Sequence, residues 1–220
     1  IDDSRLIISA NKQKSFKSNF FKTPKVYDIT DKSFTMDYIS GESFSQFFTN
    51  ATKRDLDDLI RRIDGYLQER IVGEFQLPKS ILENKLKSLP NGSDYLSILD
   101  NIENLKVKVG ISHGDMTLSN MIFAEDVYLI DFIDSYIESP TMDIVKLRQD
   151  TQLHWSLNMV DNIVDLTKIK LGLEYIDTWL VKHHPIENYE LFQIINLLRI
   201  YPYTDDNNIK VYLDNNIKWL

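Results

Sequence analysis

His113-Gly114-Asp115-Met116-Thr117-Leu118-Ser119-Asn120, followed after a short apolar stretch by Ile130-Asp131-Phe132, is the segment on which the reading of this 220-residue chain turns. Asp115 offers a carboxylate able to take a hydroxyl proton. Asn120 and Asp131 offer hard oxygen ligands of the kind Mg2+ prefers. Together they are the minimal polar set for moving a phosphoryl group from ATP to an alcohol. Between them, Met121-Ile122-Phe123, the polar Ala124-Glu125-Asp126 and the apolar run from Val127 predict a tight hairpin. Such a hairpin sets Asn120 and Asp131 at neighbouring strand ends. An isolated His-Gly-Asp is most often a loop-capping aspartate; the order loop, strand, turn, strand gives it weight here.

Upstream of this segment, residues 4 to 19 read as a mostly polar helix closed by Thr23-Pro24, because the residue before proline is biased away from helix. Val26–Ile29 and Phe34–Ile39 read as two strands joined by a polar turn, and Ser40-Gly41-Glu42 as a change of direction. From Thr52 the apolar residues Leu56, Leu59, Ile60, Ile63, Tyr66 and Leu67 recur at helical steps. Tyr95, Ile98, Leu99, Ile102 and Leu105 predict a second helix running up to the motif. Beyond Pro140 the pattern is helical over 142–150, 155–182, 187–200 and 208–219. A little β-structure followed by a large helical body predicts an α+β fold.

Composition removes several function classes. A formal charge of -8 and the lack of a Lys/Arg run exclude nucleic acid as the expected partner. Without cysteine there is no disulfide framework, thiolate metal site or cysteine nucleophile. No apolar run reaches the roughly 20 residues of a membrane span, and no signal-peptide pattern opens the chain, so the expected location is the cytoplasm, where ATP is available. His113 stands among the candidate catalytic residues, with a structural task favoured: its ring nitrogens would fix the backbone around Asp115 and Asp131.

Residues 113 to 132 resemble the aminoglycoside phosphotransferase and choline kinase family, whose hallmark is His-Gly/Asn-Asp, four residues, Asn, then Ile-Asp-Phe/Trp. The resemblance implies a protein-kinase-like fold: a truncated, β-containing N-terminal lobe over residues 1–40 and a helical C-terminal lobe over 41–220. It implies that Asp115 is the catalytic base and that Asn120 and Asp131 hold the nucleotide's magnesium. Ser139-Pro140-Thr141-Met142-Asp143-Ile144 is similar to the family's Gly-Asp-Pro-x-x-Asp-Leu segment, which makes Asp143 a supporting residue that braces the loop. Phe34 to Gly41 resembles the hinge, so that the Asp37 carbonyl and the Ile39 N–H would recognise adenine and Met36 would line its pocket. The cofactors implied are ATP and Mg2+, and the partner a small hydroxyl compound such as a sugar, an amino sugar or an amino alcohol. A role in surface polysaccharide synthesis follows from the resemblance alone. Asp134 and Glu138 lie near enough in sequence to give the acceptor side a negative field suited to an amine.

The family's glycine-containing turn and strand lysine, paired with a helix glutamate, are not found in their usual places: the first glycine is Gly41 and the first glutamate Glu42. Lys12, Lys14 and Lys17 fall on the first predicted helix, where Ser9, Ala10 or Asn11 stands in place of a glutamate. The chain also begins at Ile1 rather than Met. Two alternatives to a working enzyme follow: a piece of a longer kinase, or a non-catalytic binding or scaffold protein.

Overall fold

Thr52 and Asp55 form a reciprocal capping box, each side chain meeting the other's backbone N–H, and from this cap runs the long helix α3 (Lys53–Arg70). Its buried stripe is Leu59, Ile60, Ile63, Tyr66 and Leu67, the face that the periodicity predicts. In this computed structural model residues 3–102, 105–160 and 165–220 are described.

The architecture is α+β and mainly helical, with three separate two-stranded antiparallel sheets among the described residues. Helix α1 (Asp3–Ser15) packs on the hairpin of β1 (Val26–Ile29) and β2 (Phe34–Met36). α1 stops at Ser15, short of residue 19, because Ser18 Oγ accepts from Phe20 N and Phe21 N and turns the chain. That turn buries Phe21.

A short helix α2 (Phe44–Asn50), begun by a Ser43–Gln46 capping box, precedes α3 and has no counterpart in the sequence reading. Gly41 precedes it where the backbone passes the Phe123 backbone so closely that a Cβ would meet Phe123 O at 2.7 Å. After α3, β3 (Gly73–Leu77) leads to α4 (Lys79–Lys87) and a 3-10 turn over Gly92–Asn101. β4 (Leu105–Val109) then pairs with β3, Gly73 opposite Val109 and Leu77 opposite Leu105. Leu105 therefore belongs to a strand, not to the end of a helix. Leu105 and Val107 are buried and Lys106 exposed, an alternation of period two.

The predicted hairpin is β5 (Met121–Phe123) with β6 (Val127–Leu129), Ile122 opposite Tyr128. Ser139 caps α5 (Pro140–Thr151), with Pro140 in the first turn, where its missing N–H costs nothing. Three further helices follow: α6 (Leu166–His183), α7 (Tyr189–Leu198) and α8 (Asn207–Trp219). The continuous helix expected over 155–182 is instead a 3-10 turn at Trp155–Met159 and α6, started by Asp165; its residues 161–164 lie outside the described ones.

Two apolar clusters fill the body. One joins α2, α3 and α6 to the β5–β6 hairpin, and the other joins α4, β4, α7 and α8. α5 lies between them, giving Ile144 and Leu147 to the first and Met142 and Val145 to the second, so all twelve of its residues are buried. A helix buried on every side must find partners for each polar side chain it carries.

Candidate active site

Asp143, Lys146 and Asp150 stand three and seven residues apart on α5 and so share one face. That face supports the 113–120 loop at three successive points. Asp143 accepts from His113 N at 2.7 Å, from Gly114 N at 2.9 Å and from the buried Tyr66 hydroxyl at 2.8 Å. Lys146 Nζ lies 3.0 Å from Asp115 Oδ1. Asp150 accepts from Leu118 N at 2.5 Å and from Ser156 N at 2.7 Å. Loop and helix run in step, and the backbone on both sides of Asp115 is held by carboxylates that are themselves buried.

Gly114 adopts a φ of +92°, and a Cβ there would meet Ile133 O at 2.0 Å. Only glycine fits this approach, which brings the segment after Asp131 against the loop. His113 is fully buried. Its Nδ1 accepts from Asp115 N at 3.2 Å, so Nε2 carries the hydrogen and donates to Ile130 O at 2.9 Å. Burial lowers its pKa from 6.5 to about 4, against the raising effect of the Asp115 charge. Both nitrogens are committed, which makes His113 a positioning residue that ties the loop to β6's continuation.

Burial alone would push the Asp115 carboxyl up, but the Lys146 ammonium and the hydrogen bond from Asn120 hold it below the ordinary aspartate value. Asn120 Nδ2 donates to Asp115 O at 2.8 Å and to Asp115 Oδ2 at 3.1 Å. Asp131 sits in the left-handed region at φ 59°, and its carboxyl is raised by burial and then by the charge of Asp115. The structure therefore brings Asp115, Asn120, Asp131, His113 and Asp143 together. Lys146 and Asp150 escaped the sequence reading; their signal was a polar stripe at steps of three and four on a helix otherwise rich in apolar residues.

The residues expected at the hinge lie elsewhere. Met36 Sδ accepts from Gln13 Nε2 at 3.2 Å, and the Asp37 carboxylate accepts from Tyr27 OH at 2.5 Å and Lys25 N at 3.2 Å. The Asp37 carbonyl and the Ile39 N–H take no part in the loop hydrogen bonds. Asp37 and Ile39 border a pocket of about 420 Å³ with Phe16, Phe21 and Tyr128, which Asp115, Asn120 and Asp131 do not line. α1 connects the two regions, since Lys12, next to Gln13, reaches Ile133 O at 3.0 Å and Glu138 Oε2 at 3.1 Å.

Glu138 is thereby removed from the acidic field expected on the acceptor side. Its other oxygen accepts from Ser112 N at 2.6 Å and Ser112 Oγ at 3.1 Å. Asp115 opens instead into a cavity of about 840 Å³ that also holds Asp134 and four cations, Arg5, Lys85, Lys146 and Arg199.

The family profile that matches this chain places it in the class of kinase-like small-molecule phosphotransferases. The chain belongs to the ecdysteroid kinase-like family, whose profile matches residues 15–149, from the end of α1 to Gln149 of α5. Among solved structures, a glucosamine kinase (crystal form B) is similar over 97% of this chain and 68% of its own, with a TM-score of 0.48 and 10% identity. No curated protein matches the chain. Among the described residues no helix is long and apolar enough to cross a membrane.

Proposed function

We propose that the protein transfers the γ-phosphoryl group of ATP to a hydroxyl of a small molecule, with Mg2+, in the cytoplasm. The likeness to aminoglycoside phosphotransferases and choline kinases extends on this reading to mechanism, with residues 1–40 as the smaller lobe and 41–220 as the larger. The observation that carries it is Asp115, kept ionised by Lys146 inside a cavity large enough for a small substrate.

Among the described residues no cluster of three or more His, Cys, Asp or Glu is built for a metal ion, so the donors must be mixed. Asn120 and Asp131 fit that requirement. Asn120 turns its Nδ2 to Asp115, which leaves Oδ1 as an oxygen donor. Asp131 suffers a repulsion from Asp115 that a divalent cation relieves. When bound, magnesium neutralises charge on the nucleotide phosphates. Asp115 accepts the proton of the acceptor hydroxyl as its oxygen attacks, and Lys146 holds that carboxylate in place and ionised. Asp143 and Asp150 keep the loop from yielding, so little reorganisation is needed at the moment of transfer. Asp37 O and Ile39 N–H remain the backbone pair proposed for adenine, beside Met36.

The test is Mg-ATP turnover against a panel of hydroxyl compounds, with Asp115→Asn and Asp131→Ala beside the wild type. Asp115→Asn is expected to lower transfer by about 10³-fold while nucleotide affinity is kept. Asp131→Ala is expected to weaken Mg-nucleotide binding itself. Turnover in Asp115→Asn equal to wild type, or no turnover with any acceptor, would refute the proposal.

A further inference from the structure

The cavity that receives Asp115 has an excess of positive charge that the fold does not neutralise. Two acids, Asp115 and Asp134, face four cations, and Lys146 is already paired with Asp115. Arg5, Lys85 and Arg199 make no ion pair among the described residues. Arg5 donates to the Tyr203 hydroxyl at 3.3 Å. Lys85 and Arg199 flank the ring of Tyr136, 5.6 Å and 5.7 Å from its centroid. Burial, and to a lesser degree the guanidiniums of Arg199 and Arg5, depress the Lys85 ammonium below its ordinary pKa.

A second observation stands apart from the charges. Tyr136 OH, Ser135 Oγ and Gln149 Nε2 all belong to residues lining this cavity, and all three atoms are buried without a hydrogen-bond partner. Buried polar atoms left unsatisfied cost about 1–3 kcal/mol each, so the wall behind these cations carries polar groups that the fold leaves unpaired. Three cations converging from α1, α4 and the end of α7 say what charge that ligand carries.

We infer that the acceptor is an anionic alcohol, a hydroxyl compound bearing a phosphate or carboxylate group that docks among Arg5, Lys85 and Arg199 while its hydroxyl meets Asp115. This rests on the phosphotransferase reading for the role of Asp115, but the anion site stands on its own groups. It replaces the amine acceptor that Asp134 and Glu138 suggested. An ammonium would meet three uncompensated positive charges, whereas an oxyanion gains charge-assisted hydrogen bonds from each.

The experiment is calorimetric titration, without nucleotide, of four probes: glycerol 3-phosphate, glycerate, glycerol and ethanolamine. At least one anion is expected to bind about tenfold or more tightly than glycerol, more weakly as salt is raised, and ethanolamine not at all. The two anions distinguish a phosphate from a carboxylate group. Lys85→Met and Arg199→Gln should each cut anion affinity about tenfold. Lys85→Met should also leave the thermal midpoint of the ligand-free protein unchanged or higher, because a repelling charge is gone. Saturating Mg-ATP should not displace the bound anion; displacement would assign the cations to the nucleotide's phosphates and overturn the inference. Equal binding of glycerol or ethanolamine, failure of both anions to bind, or full affinity in both variants would overturn it too. If an anion binds in the cavity and is never phosphorylated, the function fails and the anion site survives. Phosphorylation of neutral or cationic alcohols without anion binding would do the opposite, sinking the anion site and leaving the function in place.

Discussion

The two ends of the large cavity are built on opposite principles. At one end the groups around Asp115 are tied: Asp115 to Lys146 and Asn120, and the loop backbone to Asp143 and Asp150. At the other end Arg5, Lys85 and Arg199 crowd together with no ion pair among the described residues, beside hydroxyl and amide groups that have no partner. A tied group is in its working position before substrate arrives and contributes to stability. An untied buried group costs stability until a ligand completes it. On the proposed reading, chemistry and recognition are separated within one cavity.

The comparison breaks most readily at Asp143. Asp143→Ala leaves His113 N, Gly114 N and the Tyr66 hydroxyl without an acceptor, and is expected to destabilise the fold by roughly 3 kcal/mol in urea denaturation. A loss under about 0.5 kcal/mol would mean that the tied end is not what holds the loop.

His113 sharpens the comparison through pH. Its folded pKa, about 4, lies below the unfolded 6.5, so its contribution is fully present above pH 6.5 and is lost as pH falls through 4. Asp143 and Asp150, raised by burial to about 6, act oppositely, their contribution being present below pH 4 and lost as pH rises through 6. The wild-type stability is therefore flattened over this window. The difference between wild type and His113→Gln isolates the histidine and is expected to shrink by up to about 3 kcal/mol between pH 7 and pH 4. A difference independent of pH would contradict the buried neutral ring.

Lys146→Met should reduce kcat by about tenfold with little change in nucleotide affinity, and Lys146→Arg should restore part of the rate. The smallest effect belongs to the untied end. Lys85→Met should not lower the melting temperature of the ligand-free protein, and a clear drop there would erase the contrast between the two ends.

Features carried by neighbouring residues were legible in the sequence. The Asn120-to-Asp131 hairpin, the α3 stripe and the last two helices are set by turn chemistry and by spacing within a few residues, which sequence displays directly. The β3–β4 pair was missed because each strand is short and its partner lies about thirty residues away. Leu105 satisfies a helical step from Ile102 and a strand alternation with Val107 equally well. Only pairing with Leu77 decides between them. The adenine-contact residues Met36, Asp37 and Ile39 rest on family likeness, and their pocket is separate from the cavity of Asp115.

By itself, then, the sequence determined the local chemistry: which oxygen-bearing side chains occur around Asp115, in which loop, and in what order. Tertiary structure alone decided the charges around them. It set Lys146 against Asp115 across 31 residues of chain, gave Glu138 to Lys12, and gathered Arg5, Lys85 and Arg199 from three helices into one cavity. Local spacing fixes what a turn or a helix face presents, but the field within a cavity sums over residues that only folding makes neighbours.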